Sequence, residues 1–342
     1  MIPFSIVSEM SGLQETLQLD SYDRHTSPGR RKSDSAKMVN PLSIAFPLYI
    51  YPTVQTWTPL FNAIAANPSV NFSLVVNPNN GPGGPLPDLN YIECMSKLNA
   101  YDNVDLYGYV HTSWGARELS AIEADIANYE AWATVKNADI HVSGLFVDEA
   151  PSDTKYLDYM NTIDKQAKKV MTKGSRVWTN PGVPVDSRFY NAADIINAYE
   201  NTFDYWTKHG GNTSIPAAQR AQSTVMIHGF KGTDAQLKTA VDAVKKDGYA
   251  SAIITTDSSY TSFGTMWPDF VQFVAVAKAS SSSTTSAAAS KTTASKTASK
   301  PASSATATGA VRVLSSATPN LSTKGATSPP RKRLQRSMLA AD

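Results

Sequence analysis

"GLFVDEAP", residues 144 to 151, is a short apolar run closed by an aspartate, a glutamate and a proline. Its apolar residues are continuous rather than alternating, and a strand of that kind is buried on both faces, as in a parallel sheet covered by helices. Seven more runs share the form: "FPLYIYP" (46–52), "NFSLVVNP" (71–78), "VDLYGYVHT" (104–112), "SRVWTNPG" (175–182), "DIINAYE" (194–200), "STVMIHGF" (223–230) and "ASAIITTD" (250–257). Amphipathic stretches separate most of them, among them "ELSAIEADIANYEAWATV" and "TDAQLKTAVDAVKKDG", the latter with Thr233 and Asp234 as a start signal and Gly248 as a stop. After the fifth run, "VPVDSRFYNAA" leaves room for only a turn or two. Eight β-then-α units in about 240 residues predict an α/β fold, the (β/α)8 TIM barrel, rather than an open doubly wound sheet.

Composition sets the limits of that barrel. From about Ser280 the chain reads "SSSSTTSAAASKTTASKTASK", nearly free of large apolar residues, and such a segment cannot bury enough surface to offset its ordering entropy. Residues 1–40, with "RHTSPGRRKSDSAK", likewise lack an apolar period. The expected organisation is therefore a disordered extension over 1–40, the barrel over 41–278 and a disordered, basic Ser/Thr/Ala-rich tail over 279–342.

Charge follows the same partition. The tail carries nine Lys or Arg against the single acid Asp342, and residues 1–40 hold five of each sign. Of 31 basic and 29 acidic residues, 17 and 23 remain in the barrel segment, a net charge of −6. An acidic core argues against nucleic acid as a partner, and the tail's "PPRKRLQR" reads as a solvated charge run. One cysteine, Cys94, excludes a disulfide framework and is expected to be a buried thiol. No apolar run approaches the length of a membrane span, and the N-terminus shows no signal peptide. "NPNNGPGGP" (77–85) has no Lys-Ser/Thr after it, so a rigid turn over the barrel rim is expected there rather than a phosphate cradle.

In a TIM barrel the active site lies at the C-terminal ends of the strands. Polar residues at those ends are Asn77, His111, Asp148, Glu149, Asn180, Glu200, His228 and Asp257. Acids from strands four, six and eight, with no Cys/His cluster, suit acid/base chemistry on a neutral substrate, without metal or cofactor. Glycoside hydrolysis needs one carboxylic acid to protonate the leaving oxygen and a second carboxylate to stabilise the oxocarbenium-like centre or activate water. Crowding two acids raises the pKa of one of them. On a regular strand Asp148 and Glu149 cannot both point inward, so one would face the substrate and the other orient it from the rim. Tyr49, Tyr51, Tyr109, Trp178 and Tyr205 offer faces for pyranose rings, while His111, Asn180, His228 and Asp257 offer polar contacts to hydroxyls. Each also has a bland reading: an aromatic in the core, a structurally bonded histidine, or, for Asp257, a cap on the loop "SSYTSF".

"PLYIYP", "GLFVDEAP", "WTNPG" and "NAYENTFDYW" together resemble the spherulin-4 family, over roughly residues 45 to 278. The resemblance implies a (β/α)8 glycoside hydrolase that cleaves α-1,4-linked N-acetylgalactosamine in galactosaminogalactan, a cell-wall and biofilm polysaccharide. The family's essential acids, an adjacent Asp-Glu pair and a later Glu, fall on Asp148, Glu149 and Glu200. It also implies an extracellular or cell-wall location. The chain is expected to act as a monomer on its polysaccharide. The competing expectation is a non-catalytic carbohydrate-binding or structural wall protein on the same barrel.

Overall fold

The computed structural model describes residues 41–209, 211 and 215–276; the expected N-terminal extension and basic tail lie outside them. Eight strands, β1 (Ser43–Leu48), β2 (Phe72–Val76), β3 (Val104–His111), β4 (Gly144–Asp148), β5 (Arg176–Thr179), β6 (Ile195–Thr202), β7 (Ser223–His228) and β8 (Ser251–Ile254), close a parallel barrel in chain order. Helices α1 (Thr58–Ala66), α2 (Leu89–Leu98), α3 (Leu119–Trp132) and α4 (Leu157–Val170) cover the first half. Two short helices, α5 (Phe203–Lys208) and α6 (Ala217–Arg220), follow β6, and α7 (Asp234–Asp247) and α8 (Trp267–Ala275) complete the ring. Between β5 and β6 there is only a 3-10 turn at Ser187–Asn191, as the short connection predicts.

The elements form where the sequence signals them. Thr233 and Gln236 make a reciprocal capping box at the start of α7, and Gly248, at φ 78°, ends it in the left-handed region. All five residues of β2 are buried, as are the first four of β4, which is why their apolar runs do not alternate. β1 starts before the quoted run: the Ser43 amide donates to the Ala250 carbonyl at 3.0 Å. It ends at Leu48, because the Tyr49 amide turns back onto the Pro47 carbonyl at 2.8 Å. Cys94 is buried in α2. Among the described residues no helix is long and apolar enough to cross a membrane.

Two details position the mouth. Gly108 lies in the middle of β3 because the Tyr129 ring of α3 rests on it, and a Cβ there would sit 2.6 Å from the ring. The glycine-rich loop after β2 is pinned by the Asn77 side chain, which accepts from the Gly81 amide at 2.9 Å, and by the Trp132 indole, which donates to the Pro85 carbonyl at 3.1 Å. That makes it the rigid rim turn its composition predicts.

Candidate active site

Register decides which side chains meet. Partners across parallel strands point to the same side, so Tyr109, Phe146 and Trp178, paired in sequence, share one face. Their rings contact one another inside the barrel, Phe146 and Trp178 at 4.8 Å between centroids. One step further along, His111 pairs with Asp148 on that same inward face, at the C-terminal mouth. Asn180, just past β5, follows Trp178 by two residues, and its amide donates to the Val147 carbonyl at 2.8 Å.

Asp148 and Glu200 are joined through one amide. The Asn180 Nδ2 donates to Asp148 Oδ1 and to Glu200 Oε2, each at 2.8 Å. Twice that distance, about 5.6 Å, is the widest separation those two oxygens allow. The Tyr109 hydroxyl donates to the other Asp148 oxygen at 2.9 Å, and the Tyr260 hydroxyl to Glu200 Oε1 at 3.2 Å. Burial raises the Asp148 carboxyl to about 6 and the facing Glu200 adds to the rise, while the bonds from Tyr109, the Glu149 backbone and Asn180 pull the other way. Tyr49 stands over the pair, edge-on to Tyr109 and Tyr260. Burial, and then the charge on Asp148, push its phenol well above the usual value.

Glu149 leaves the strand. Its backbone is left-handed, at φ 51°, which breaks the alternation that would send it outward. Its carbonyl is held by the Trp114 amide at 2.8 Å and the Thr112 hydroxyl at 2.6 Å. The side chain, about one third exposed, stands 3.7 Å from the His111 ring. Both members of the acid pair therefore reach the mouth, by a backbone twist that strand periodicity does not include. Burial lowers the His111 imidazole, with the Arg117 guanidinium next in effect, and its Nδ1 lies 3.1 Å from the Ser113 hydroxyl.

The other expected contacts divide. Trp178 is fully buried between Tyr107 and Phe146, so it forms the floor under Asn180 rather than a sugar platform. Asn180 is spent on the two carboxylates instead of a hydroxyl. Asp257 caps its own loop, accepting from the amides and hydroxyls of Ser259 and Ser262; burial opposes, yet these bonds hold its carboxyl below the usual value. Its loop geometry, not the basin, explains the acid. Tyr51 is exposed at the rim and bonded to Asp88 and Asn90. Tyr205, on α5, is exposed and stacked on His209 at 3.8 Å. His228 stands edge-on to Tyr260. Sequence reading missed Asn197 and left Tyr260 unassigned. A fully buried asparagine inside the apolar run "DIINAYE" is the signal that marks the first.

Comparison with known proteins identifies relatives of the chain. The crystal structure of Aspergillus clavatus Sph3 in complex with GalNAc superposes with a TM-score of 0.65 at 34% identity, covering 70% of this chain and all of that one. Spherulin-4 of Physarum polycephalum is 28% identical over 201 residues, and the match spans 57% of either chain. A chitinase from Bacteroides thetaiotaomicron aligns at 8% identity with a TM-score of 0.46, over 68% of this chain and 96% of that one, too distant to bear on the chemistry. The model of spherulation-specific family 4 matches residues 43–274, from the first barrel strand into the last helix, and the chain belongs to that family.

Proposed function

We propose that the chain is an endo-acting glycoside hydrolase that cleaves α-1,4-linked N-acetylgalactosamine in a galactosaminogalactan-type polysaccharide. The observation that carries this reading is the pairing of Asp148 and Glu200 on one amide at the barrel mouth. The GalNAc complex of the 34% identical Aspergillus protein supports the sugar.

Roles follow from how each acid is held. Asp148 accepts from Tyr109 and Asn180, and Glu200 from Asn180, Asn197 and Tyr260, an arrangement that favours carboxylates. Two carboxylates side by side suit the positive charge that develops at the anomeric carbon. Glu149, partly exposed and beside His111, is the acid placed to carry a proton to the glycosidic oxygen. Tyr49, Tyr109 and Tyr260 line the same basin and shield it from bulk water.

The test is mass spectrometry of material released from purified galactosaminogalactan by the full chain and by its Glu149→Gln variant. Hexosamine oligomers from the unaltered chain alone are expected. Intact polymer that is nevertheless bound would replace the enzyme with a carbohydrate-binding wall protein.

A further inference from the structure

Strand β6 contains one residue too many. Asn197 pairs with Thr224 on β7 and Tyr199 with Val225, so Ala198 has no partner of its own. The same excess shows on the other edge. The Gly182 amide donates to the Asn197 carbonyl at 3.2 Å, and its carbonyl accepts from the Glu200 amide at 2.9 Å, spanning three residues where regular parallel pairing spans two. Residues three apart on a strand normally point to opposite faces. Here the bulge absorbs a residue, and Asn197 and Glu200 both face the interior.

Asn197 is fully buried, and its Nδ2 donates to Asn180 Oδ1 at 2.7 Å and reaches Glu200 Oε2 at 3.3 Å. Its own Oδ1 has no hydrogen-bond partner among the described residues. This chain of amides has one workable direction. Reversing Asn197 would set its oxygen against the Asn180 oxygen and the Glu200 carboxylate. Reversing Asn180 would set its oxygen against both carboxylates and its NH2 against that of Asn197. An apolar residue would satisfy this buried position without leaving an acceptor unpaired.

We propose that Asn197 is a positioning residue: placed inside the barrel by the bulge at Ala198, it fixes the orientation of the Asn180 amide, whose NH2 group then holds Asp148 and Glu200 together. The proposal rests on the glycosidase reading for its consequence in turnover, though not for its structural content. The groups facing Asp148 are Tyr49 just past β1, Tyr109 and His111 from β3, Glu149 beyond β4, Glu200 from β6 and Tyr260 from the loop after β8. Removing the lock lets Asn180 turn away, so Asp148 loses a donor and gives up its proton at higher pH.

Asn197→Ala and Asn180→Ala, singly and together, are compared in the full chain by two readouts. The first is 13C titration of the aspartate carboxyls without ligand, with Asp148 assigned from Asp148→Asn. The second is kcat and KM on N-acetylgalactosamine oligomers across pH. In Asn197→Ala the Asp148 midpoint should rise by about one pH unit. The acid limb of kcat should move with it while KM stays within about twofold. Adding Asn197→Ala to Asn180→Ala should change neither readout further. An unmoved midpoint in folded Asn197→Ala, or additive effects in the double variant, overturns the proposal. If Asn197→Ala does not fold, an unmoved midpoint in Asn180→Ala overturns it equally. A moved midpoint in a chain that cleaves none of the oligomers leaves the amide lock standing and removes the glycosidase.

Discussion

The two ends of the barrel carry similar charged and polar residues and treat them in opposite ways. At the N-terminal base, a cavity of about 610 Å3 is lined by Ser43, Ser73, Asp105, Arg176, Asp194 and Asp247, among others. Its acids face cations: Asp105 with Arg176 at 3.2 Å, Asp194 with Lys168 at 3.7 Å and Asp247 with Arg220 at 3.4 Å. At the mouth, Asp148 faces Glu200 across an amide, and its carboxyl rises to about 6. Acids at the base thus have cations beside them, and acids at the mouth have each other. Paired charges serve stability, whereas like charges held together need a reason beyond it, which the proposed glycoside hydrolysis would supply at the mouth.

The sharpest way to break that contrast is to neutralise one acid at each end. Glu200→Gln should lower turnover on galactosaminogalactan about 1,000-fold, while Asp105→Asn should leave it within about twofold. A comparable loss from the base would dissolve the distinction. Next in size is pH. With Asp148 at about 6 and working as a carboxylate, initial rates should fall about tenfold per unit below that point; a rate that rises on acidification would make Asp148 the proton donor.

Smaller effects sharpen the picture. Trp114 is 64% exposed on the loop whose amide holds Glu149. Trp114→Ala should raise KM for long oligomers about tenfold, equivalent to about 1.4 kcal/mol of stacking, with kcat unchanged. Stability should show the strain at the mouth directly. Because the folded Asp148 binds its proton more tightly than the unfolded chain does, its contribution is fully present below the unfolded value of 3.8 and is lost as pH rises through about 6. Asp148→Asn should therefore gain about 1–2 kcal/mol relative to the unaltered chain between pH 4 and pH 8, read from urea unfolding. Last, Arg176→Met should cost under about 1 kcal/mol, since that side chain is 55% exposed in its ion pair.

The eight strands were legible because burial on both faces leaves continuous apolar runs, and the mouth because the barrel places its site at the strand ends. Asp148 and Glu200 follow from those two facts. Trp178 does not: its strand is visible in the sequence, but which of the strand's faces is crowded by Tyr107 and Phe146 is a matter of register. Asp257 and Asn180 were placed at the right end, and the loop cap was one of two readings of Asp257, but a structural bond and a substrate bond demand the same residue types, so the partner was not legible. Glu149 and Asn197 depend on backbone departures, a left-handed residue and a bulge, that alternation does not encode.

The bulge has a consequence for how this strand can change length. Removing Ala198 would return β6 to regular pairing, with Asn197 opposite Thr224, Glu200 opposite Met226 and both still turned inward. Elsewhere in the barrel, a one-codon deletion turns every following side chain of its strand inside out. At this position alone in β6, the reading frame of inward and outward faces has a spare letter.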